Sequence, residues 1–388
     1  MPNRIRYFAA VLLIALVAGA LRLYAVQRLN VDYDEPVYLA AAVEYANAMR
    51  SGDLKMLAWS EHTYEHPALQ KILYGVVLLT QSPLQRLPDN DLPRLAPVAS
   101  TEAGRWNVAV RHLAALWGTL AALVLGLVNP LAGFFLAVDT LSVKYTSEVY
   151  LEALPLLTGL LCAIAYLRWF SALQRARASS APPLTWLVLS ALFLGMTAAG
   201  KYAHALVGFA VIVHFVIAVI RRQLPPRSSA YMAGWAGLAL LMFIAFDPYL
   251  WPHPITRLSK SLLFHEDFQS SLLVHIYNYP FWQPFRWLSA FSAYYDLGPA
   301  SAFVLDLDTF VFVAAIIGLP RLYRQQPFFF YWLLLGLIFL LAWTTKWPQY
   351  TLIVLAPFSM AAAQGIWTVR DLARAAIAAA RSRRSPIT

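Results

Sequence analysis

The chain has 388 residues, of which 60% are hydrophobic and only 13% charged, with a formal net charge of +10. A soluble protein of this size carries about a quarter charged residues, and one or two globular cores cannot hide so much apolar surface. Soluble, disordered and disulfide-scaffold classes are therefore excluded, the last because Cys162 is the only cysteine, and in a membrane protein the positive charge speaks of topology rather than of nucleic acid.

Apolar runs recur at 7–26, 108–128, 131–146, 149–169, 184–200, 203–220, 231–249, 306–319, 327–344 and 349–369. They predict an all-α polytopic membrane protein with about ten transmembrane helices. The first run is too long, and lacks the small-residue cleavage site, for a removed signal peptide. The run at 131–146 is short enough to be tilted or partly re-entrant, and 68–82, interrupted by Gln70 and Lys71, reads as an interfacial helix. The chain thus divides into a first helix (1–26), a long outer loop with interfacial helices and an acidic motif (27–107), a bundle (108–249), a second long outer loop (250–305), C-terminal helices (306–369) and a basic cytoplasmic tail (370–388). There is no internal repeat and no low-complexity linker.

Placing the N-terminus in the cytoplasm puts Arg4, Arg6, Arg168, Arg175, Arg177, Arg221, Arg222, Arg227, Arg321, Arg324, Arg370, Arg374, Arg381, Arg383 and Arg384 on the inner side. Asp371 is the one acid among them. This is the asymmetry of the positive-inside rule, and it leaves both termini cytoplasmic and the carboxylates outside, in a plasma membrane of bacterial type or its equivalent.

The outer residues gather in a few places. Asp32, Tyr33, Asp34 and Glu35 follow the first span, with Tyr38 a turn later; three acids so close repel one another and call for a cation, a substrate or water. The same loop closes with Tyr64, Glu65, His66 and Pro67, a helix start that aims polar groups at the membrane surface. Lys144, Tyr145 and Glu148 lie between two spans, with Glu152 one turn deeper; Lys144 has Glu148 or Asp139 as a prospective ion-pair partner. Lys201, Tyr202 and His204 mark another outer hairpin, and Lys346, Gln349 and Tyr350 a third. Such lysines either snorkel to headgroups or neutralise a phosphate at that depth. The second loop holds Asp247, Tyr249, Trp251 and His253, then His265, Glu266 and Asp267, then His275 and aromatics including Tyr294 and Tyr295, which read as an interfacial belt. His265, Glu266 and Asp267 are candidates for an acceptor or metal site, at a spacing that matches no standard metal motif. His214, inside a span, is the one histidine away from this face.

Taken in order, these residues resemble the GT-C superfamily of polytopic glycosyltransferases, in the branch that takes sugars from polyprenyl phosphates and includes protein O-mannosyltransferases and aminoarabinose transferases. The family's first loop opens with an Asp-Glu pair before a Tyr, here Asp34, Glu35 and Tyr38, and closes with an acid, a Lys or His and Pro-Pro-Leu, here Glu65, His66, Pro67, Ala68 and Leu69. Arg111 with Gly118, Lys144 to Glu148, Gly200 to Tyr202, Asp247 to Pro252, and Lys346, Tyr350 and Pro357 match further positions. Ala68 breaks the double proline, and the large extramembrane domain of many relatives is missing.

The resemblance implies inverting transfer of a sugar from a polyprenyl-phosphate donor to an acceptor hydroxyl of a protein, lipid or glycan on the outer face, in contact with membrane lipid and without nucleic acid. It casts Asp34, Glu35 and Glu148 as catalytic, with Asp34 the general base. His66, Arg111, Lys201, Lys346 and Tyr350 become candidates for the donor phosphate, and Tyr38, Glu65, Tyr145, Tyr202, His265 and Glu266 for substrate. A divalent cation among Asp34, Glu65 and Glu148 is an option, since some relatives use one and others do not. The rival is a transporter or flippase of lipid-linked sugars without catalysis, which needs polar residues through the bilayer midplane, whereas most acids here keep to the outer boundary.

Overall fold

In the computed structural model the described residues are 2–59, 64–81, 102–175, 183–224, 228–290 and 303–382. Arg177, Arg227, Arg383, Arg384, Tyr294, Tyr295 and the 82–101 stretch of the first loop lie outside them. Every regular element among the described residues is helical.

The chain enters through α1 (Pro2–Arg28) and turns into α2 (Glu35–Ser51), which ends where Gly52 takes a left-handed φ of 71° that a side chain would resist. The short apolar α3 (Leu69–Leu78) lies against α2 and leads, beyond the first loop, to α4 (Glu102–Val128), which packs back on α1. The 131–146 run is not one helix. It forms α5 (Pro130–Val138), started by Pro130 and the Asn129 side chain, and α6 (Thr140–Tyr145), with a break at Asp139. Residues 146–152 then run irregularly but buried into α7 (Ala153–Arg175), so this span starts later than its hydropathy suggests.

After α8 (Leu184–Gly200) the chain reverses within a few residues into α9 (Leu206–Ile220), and α10 (Ser229–Phe246) follows. The second loop is built of α11 (Pro254–Gln269), α12 (Leu272–Tyr277) and α13 (Gln283–Ser289). Three helices complete the molecule: α14 (Asp308–Gln325), α15 (Pro327–Ala342) and α16 (Leu352–Ser382). The last continues into the basic tail as unbroken helix.

Six helical stretches of the described chain are long and apolar enough to cross a membrane: Arg4–Arg28, Glu102–Val128, Ala153–Arg175, Tyr202–Ile220, Ser229–Phe246 and Pro348–Arg381. Leu184–Gly200 and Pro327–Ala342 are shorter apolar helices beside them. With lipid outside, burial of apolar surface does little to join such helices, and close approach of backbones does more. At the α14–α16 crossing, a Cβ on Gly318 would meet the Ala361 carbonyl oxygen at 1.9 Å, and one on Gly365 the Ala314 carbonyl oxygen at 1.9 Å.

The ends of the bundle differ chemically. At one, Tyr7 donates to the Leu127 carbonyl (2.6 Å), Arg221 to Tyr323 (3.1 Å) and Arg321 to Asp371 (2.6 Å). At the other, carboxylates and lysines from distant segments are tied together.

Candidate active site

Six segments converge at the acidic end: the 29–38 turn, residues 64–71, the buried corner 144–152, Lys201 to His204, residues 247–250 after α10, and the 348–351 turn before α16. The first turn supplies three acids with three different fates.

Asp32 accepts from the Lys144 ammonium, which also lies 3.6 Å from Glu148. The choice left open by sequence is thereby resolved: Lys144 pairs with Asp32 and Glu148, while Asp139 caps α6 by accepting from the Ser142 N–H at 2.7 Å. Glu35, the first residue of α2 and fully buried, accepts five hydrogen bonds. They come from the Asp32 N–H (3.0 Å), Asn107 (3.0 Å), the Val149 N–H (2.9 Å) and Arg111 twice, once through Nε at 2.8 Å. Arg111 spends its remaining donors on the carbonyls of Val26 (3.1 Å), Leu29 (2.9 Å) and Asn30 (2.8 Å). It has no N–H left for a phosphate, so it bolts the first turn to α4 through Glu35.

Asp34 is partly exposed, and its carboxylate has no hydrogen bond or ion pair among the described residues. Burial by the surrounding protein, aided by Asp32, Glu152 and Glu65, pushes this carboxyl up to about 7 against the opposing pull of Lys201. An acid so tuned takes up a proton readily near neutral pH.

Lys201, at the turn between α8 and α9, pairs with Glu152 and lies 5.1 Å from the centre of the Tyr350 ring. Its positive charge disfavours protonation of Asp34, His66 and His265 alike. His66 and His265 bring the two loops together, their ring centres 5.1 Å apart, and Tyr38 stands between His66 (6.1 Å) and Tyr150 (6.0 Å). Burial, then Lys201 and the neighbouring His265, holds the His66 imidazole well below its ordinary range, so it is neutral. Tyr145 packs on Tyr150 (5.1 Å) with the Lys144 ammonium 4.8 Å from its ring.

Other expected members are engaged elsewhere or exposed. Lys346 donates to the carbonyls of Leu340 (3.0 Å), Leu341 (3.2 Å) and Trp343 (2.6 Å), closing the end of α15 with its three protons. Tyr202 leans on Phe243 (5.9 Å), and Glu266 is exposed on α11. Among the described residues no three of His, Cys, Asp and Glu form a group able to hold a metal ion. Of the three carboxylates proposed for a cation, Glu148 is engaged by the Lys144 ammonium at 3.6 Å.

Sequence reasoning gave no role to Asn107 and none to Glu152 beyond its depth. The signal for Glu152 was present: an acid at the mouth of one span needs a cation at equal depth, and Lys201 opens the next hairpin. One oxygen each of Glu148, Glu152 and Asp247 is buried without a hydrogen-bond partner among the described residues.

No family model matches this chain, and no curated protein matches it by sequence. Solved structures do match in fold. ArnT from Cupriavidus metallidurans bound to undecaprenyl phosphate superimposes with a TM-score of 0.54 at 13% identity, covering 95% of this chain and 63% of that one. The oligosaccharyltransferase AglB from Archaeoglobus fulgidus, in complex with an inhibitory peptide and a dolichol-phosphate, gives 0.55 at 12% identity, over 100% of this chain and 53% of that one. The chain thus spans less than two thirds of these proteins' length. Over the matched length its fold is theirs, a membrane bundle whose regular elements, among the described residues, are helices.

Proposed function

We propose that this integral membrane protein is a glycosyltransferase that moves a sugar from a polyprenyl-phosphate donor to an acceptor hydroxyl, with inversion, using Asp34 as general base. One observation carries the assignment: of the three acids after the first span, Asp32 and Glu35 are bound by protein, while the Asp34 carboxylate has no partner and sits in the path of the Lys201 field. In this reading the acceptor oxygen attacks the anomeric carbon opposite the phosphate, the bond from carbon to phosphate oxygen breaks, and the acceptor proton passes to Asp34. Lys201, held by Glu152 and Tyr350, offsets charge on the leaving phosphate. Arg111 and Lys346 are left out of that task because their donors are consumed. Glu35 positions the turn that presents Asp34, and Glu148 and Glu152 hold the ammonium groups of Lys144 and Lys201 in place.

The arginines at the opposite end of the bundle support an outer-face site with both termini in the cytoplasm. The fold shared with ArnT bound to undecaprenyl phosphate and with AglB in complex with a dolichol-phosphate supports the lipid-linked donor.

The test is release of polyprenyl phosphate by purified protein in lipid nanodiscs, offered a panel of synthetic polyprenyl-phosphate hexoses and pentoses with protein, lipid and glycan acceptors. Turnover of one donor, lost in Asp34→Asn while the protein stays folded and inserted, is expected. Normal turnover by that variant would sink the base assignment, and lipid-linked sugar crossing the bilayer without any turnover would establish a flippase instead.

A further inference from the structure

A buried cation that the proposed chemistry does not use lies behind this site. Arg22, on α1, is wholly inaccessible to solvent. Its Nε donates to Thr146 Oγ1 at 2.8 Å, one terminal nitrogen donates to the carbonyls of Ala18 and Ala137 at 3.2 Å each, and the other donates to Ser142 Oγ at 2.9 Å. Three of these four partners belong to the broken span. Ala137 is next to last in α5, where the interruption at Asp139 frees carbonyls from their helical partners. Ser142 and Thr146 flank Lys144, and Thr146 also donates to the Ser142 carbonyl at 2.6 Å.

The third wall of this seam is Gly118 on α4, a position singled out by sequence but given no task by the chemistry above. A Cβ there would meet Thr146 Oγ1 at 2.2 Å and Arg22 Nε at 2.6 Å. A side chain at 118 therefore cannot coexist with the Arg22–Thr146 bond as it stands. The seam feeds directly into the site: Thr146 and Ser142 hold the α6 segment, α6 carries Lys144, Lys144 holds Asp32, and Asp34 is two residues on.

We propose that Arg22, seated in the space that Gly118 leaves, is a positioning residue for the Asp34 site, acting through Ser142, Thr146 and the Lys144–Asp32 pair. The inference rests on Asp34 being the base. Misplacing a base by about 1 Å costs on the order of 100-fold in the chemical step while leaving remote binding intact. A seam that served stability alone would change the yield of folded protein and not the turnover of the folded fraction.

The experiment uses the full chain in nanodiscs and whichever polyprenyl-phosphate sugar of the panel the wild type turns over. Arg22→Lys keeps the charge but lacks the planar fork, since three ammonium donors cannot reproduce four bonds aimed at separate acceptors. Gly118→Ala perturbs the same contact with no change in charge. Gly19→Ala is the control in the same α1–α4 seam, where a Cβ meets Thr119 at an ordinary 3.7 Å. Expected is a fall in kcat of about 10- to 100-fold for both Arg22→Lys and Gly118→Ala, with donor KM within about twofold and the control unchanged. Three results would overturn the proposal: kcat within twofold of wild type in both variants, a raised KM at unchanged kcat, or losses that track the loss of folded protein on size exclusion. Asp34→Asn, run alongside, separates the two claims, because full activity there removes the base assignment itself.

Discussion

Asp34 and Glu35 are adjacent in sequence and opposite in circumstance. Glu35 accepts five hydrogen bonds in a fully buried setting, two of them from Arg111, whereas the Asp34 carboxylate accepts none among the described residues. One acid is consumed by the protein and its neighbour is not, and the predictions below separate the roles proposed for them.

Asp34→Asn is expected to lower transfer by about 100- to 10,000-fold, the usual range for loss of a general base. It is also expected to stabilise the protein. The folded-state pKa of Asp34, about 7, lies above the unfolded value, so ionising it works against the fold. That cost grows as pH rises from about 4 and is complete above about 7. The variant should thus melt a few degrees above wild type at pH 8 and alongside it near pH 4, as read by thermal unfolding in detergent. A lower midpoint at pH 8 would mean that Asp34 is a structural group.

Activity should follow the same titration. With Asp34 needed ionised, kcat/KM is expected to fall about tenfold per pH unit below an inflection near 7 and to level off above it. A pH–rate profile flat down to pH 5 would rule out a base with this environment.

Breaking the bolt should hurt stability before chemistry. Glu35→Ala leaves the Arg111 guanidinium buried without its counter-charge, and Arg111→Ala does the same to Glu35; each is expected to cost about 3–5 kcal/mol. The double variant should lose less than the sum, which a double-mutant cycle on unfolding midpoints measures. Additive losses would show that the pair acts through something other than each other.

Two lysines given the same task by sequence should part company. Lys201→Met is expected to reduce kcat for the lipid-linked donor by more than tenfold, because the cation beside Asp34 is lost. Lys346→Met should leave donor kinetics within about twofold and cost about 1–3 kcal/mol of stability, since its protons close the end of α15. Equal kinetic losses in both would return Lys346 to the site.

Much of this was legible from the chain alone because it depends on local composition. Hydrophobic runs of spanning length, arginines at alternate loops and an acidic turn after the first span are each read within a window of some twenty residues, and the bilayer imposes them directly. The expectation that Glu148, Lys201 and His66 share one end of the bundle was legible as well, because each lies next to the end of an apolar run. The break at Asp139 was less visible, since apolar letters run through it on both sides and only the capping of two short helices marks it.

Tertiary structure decided which of these groups is free. An ionised side chain buried near lipid must find its partner, and the partners come from far along the chain: Glu35 from Arg111, Asp32 from Lys144, Glu152 from Lys201, the Ala137 carbonyl from Arg22. No periodicity encodes such pairings, because they are set by how α1, α4, α6 and α8 cross. The sequence by itself determined that carboxylates collect toward one end of a helical bundle and arginines toward the other. The crossings decided which of those carboxylates the protein itself binds, and among the three acids after the first span they left the Asp34 carboxylate without a hydrogen bond among the described residues.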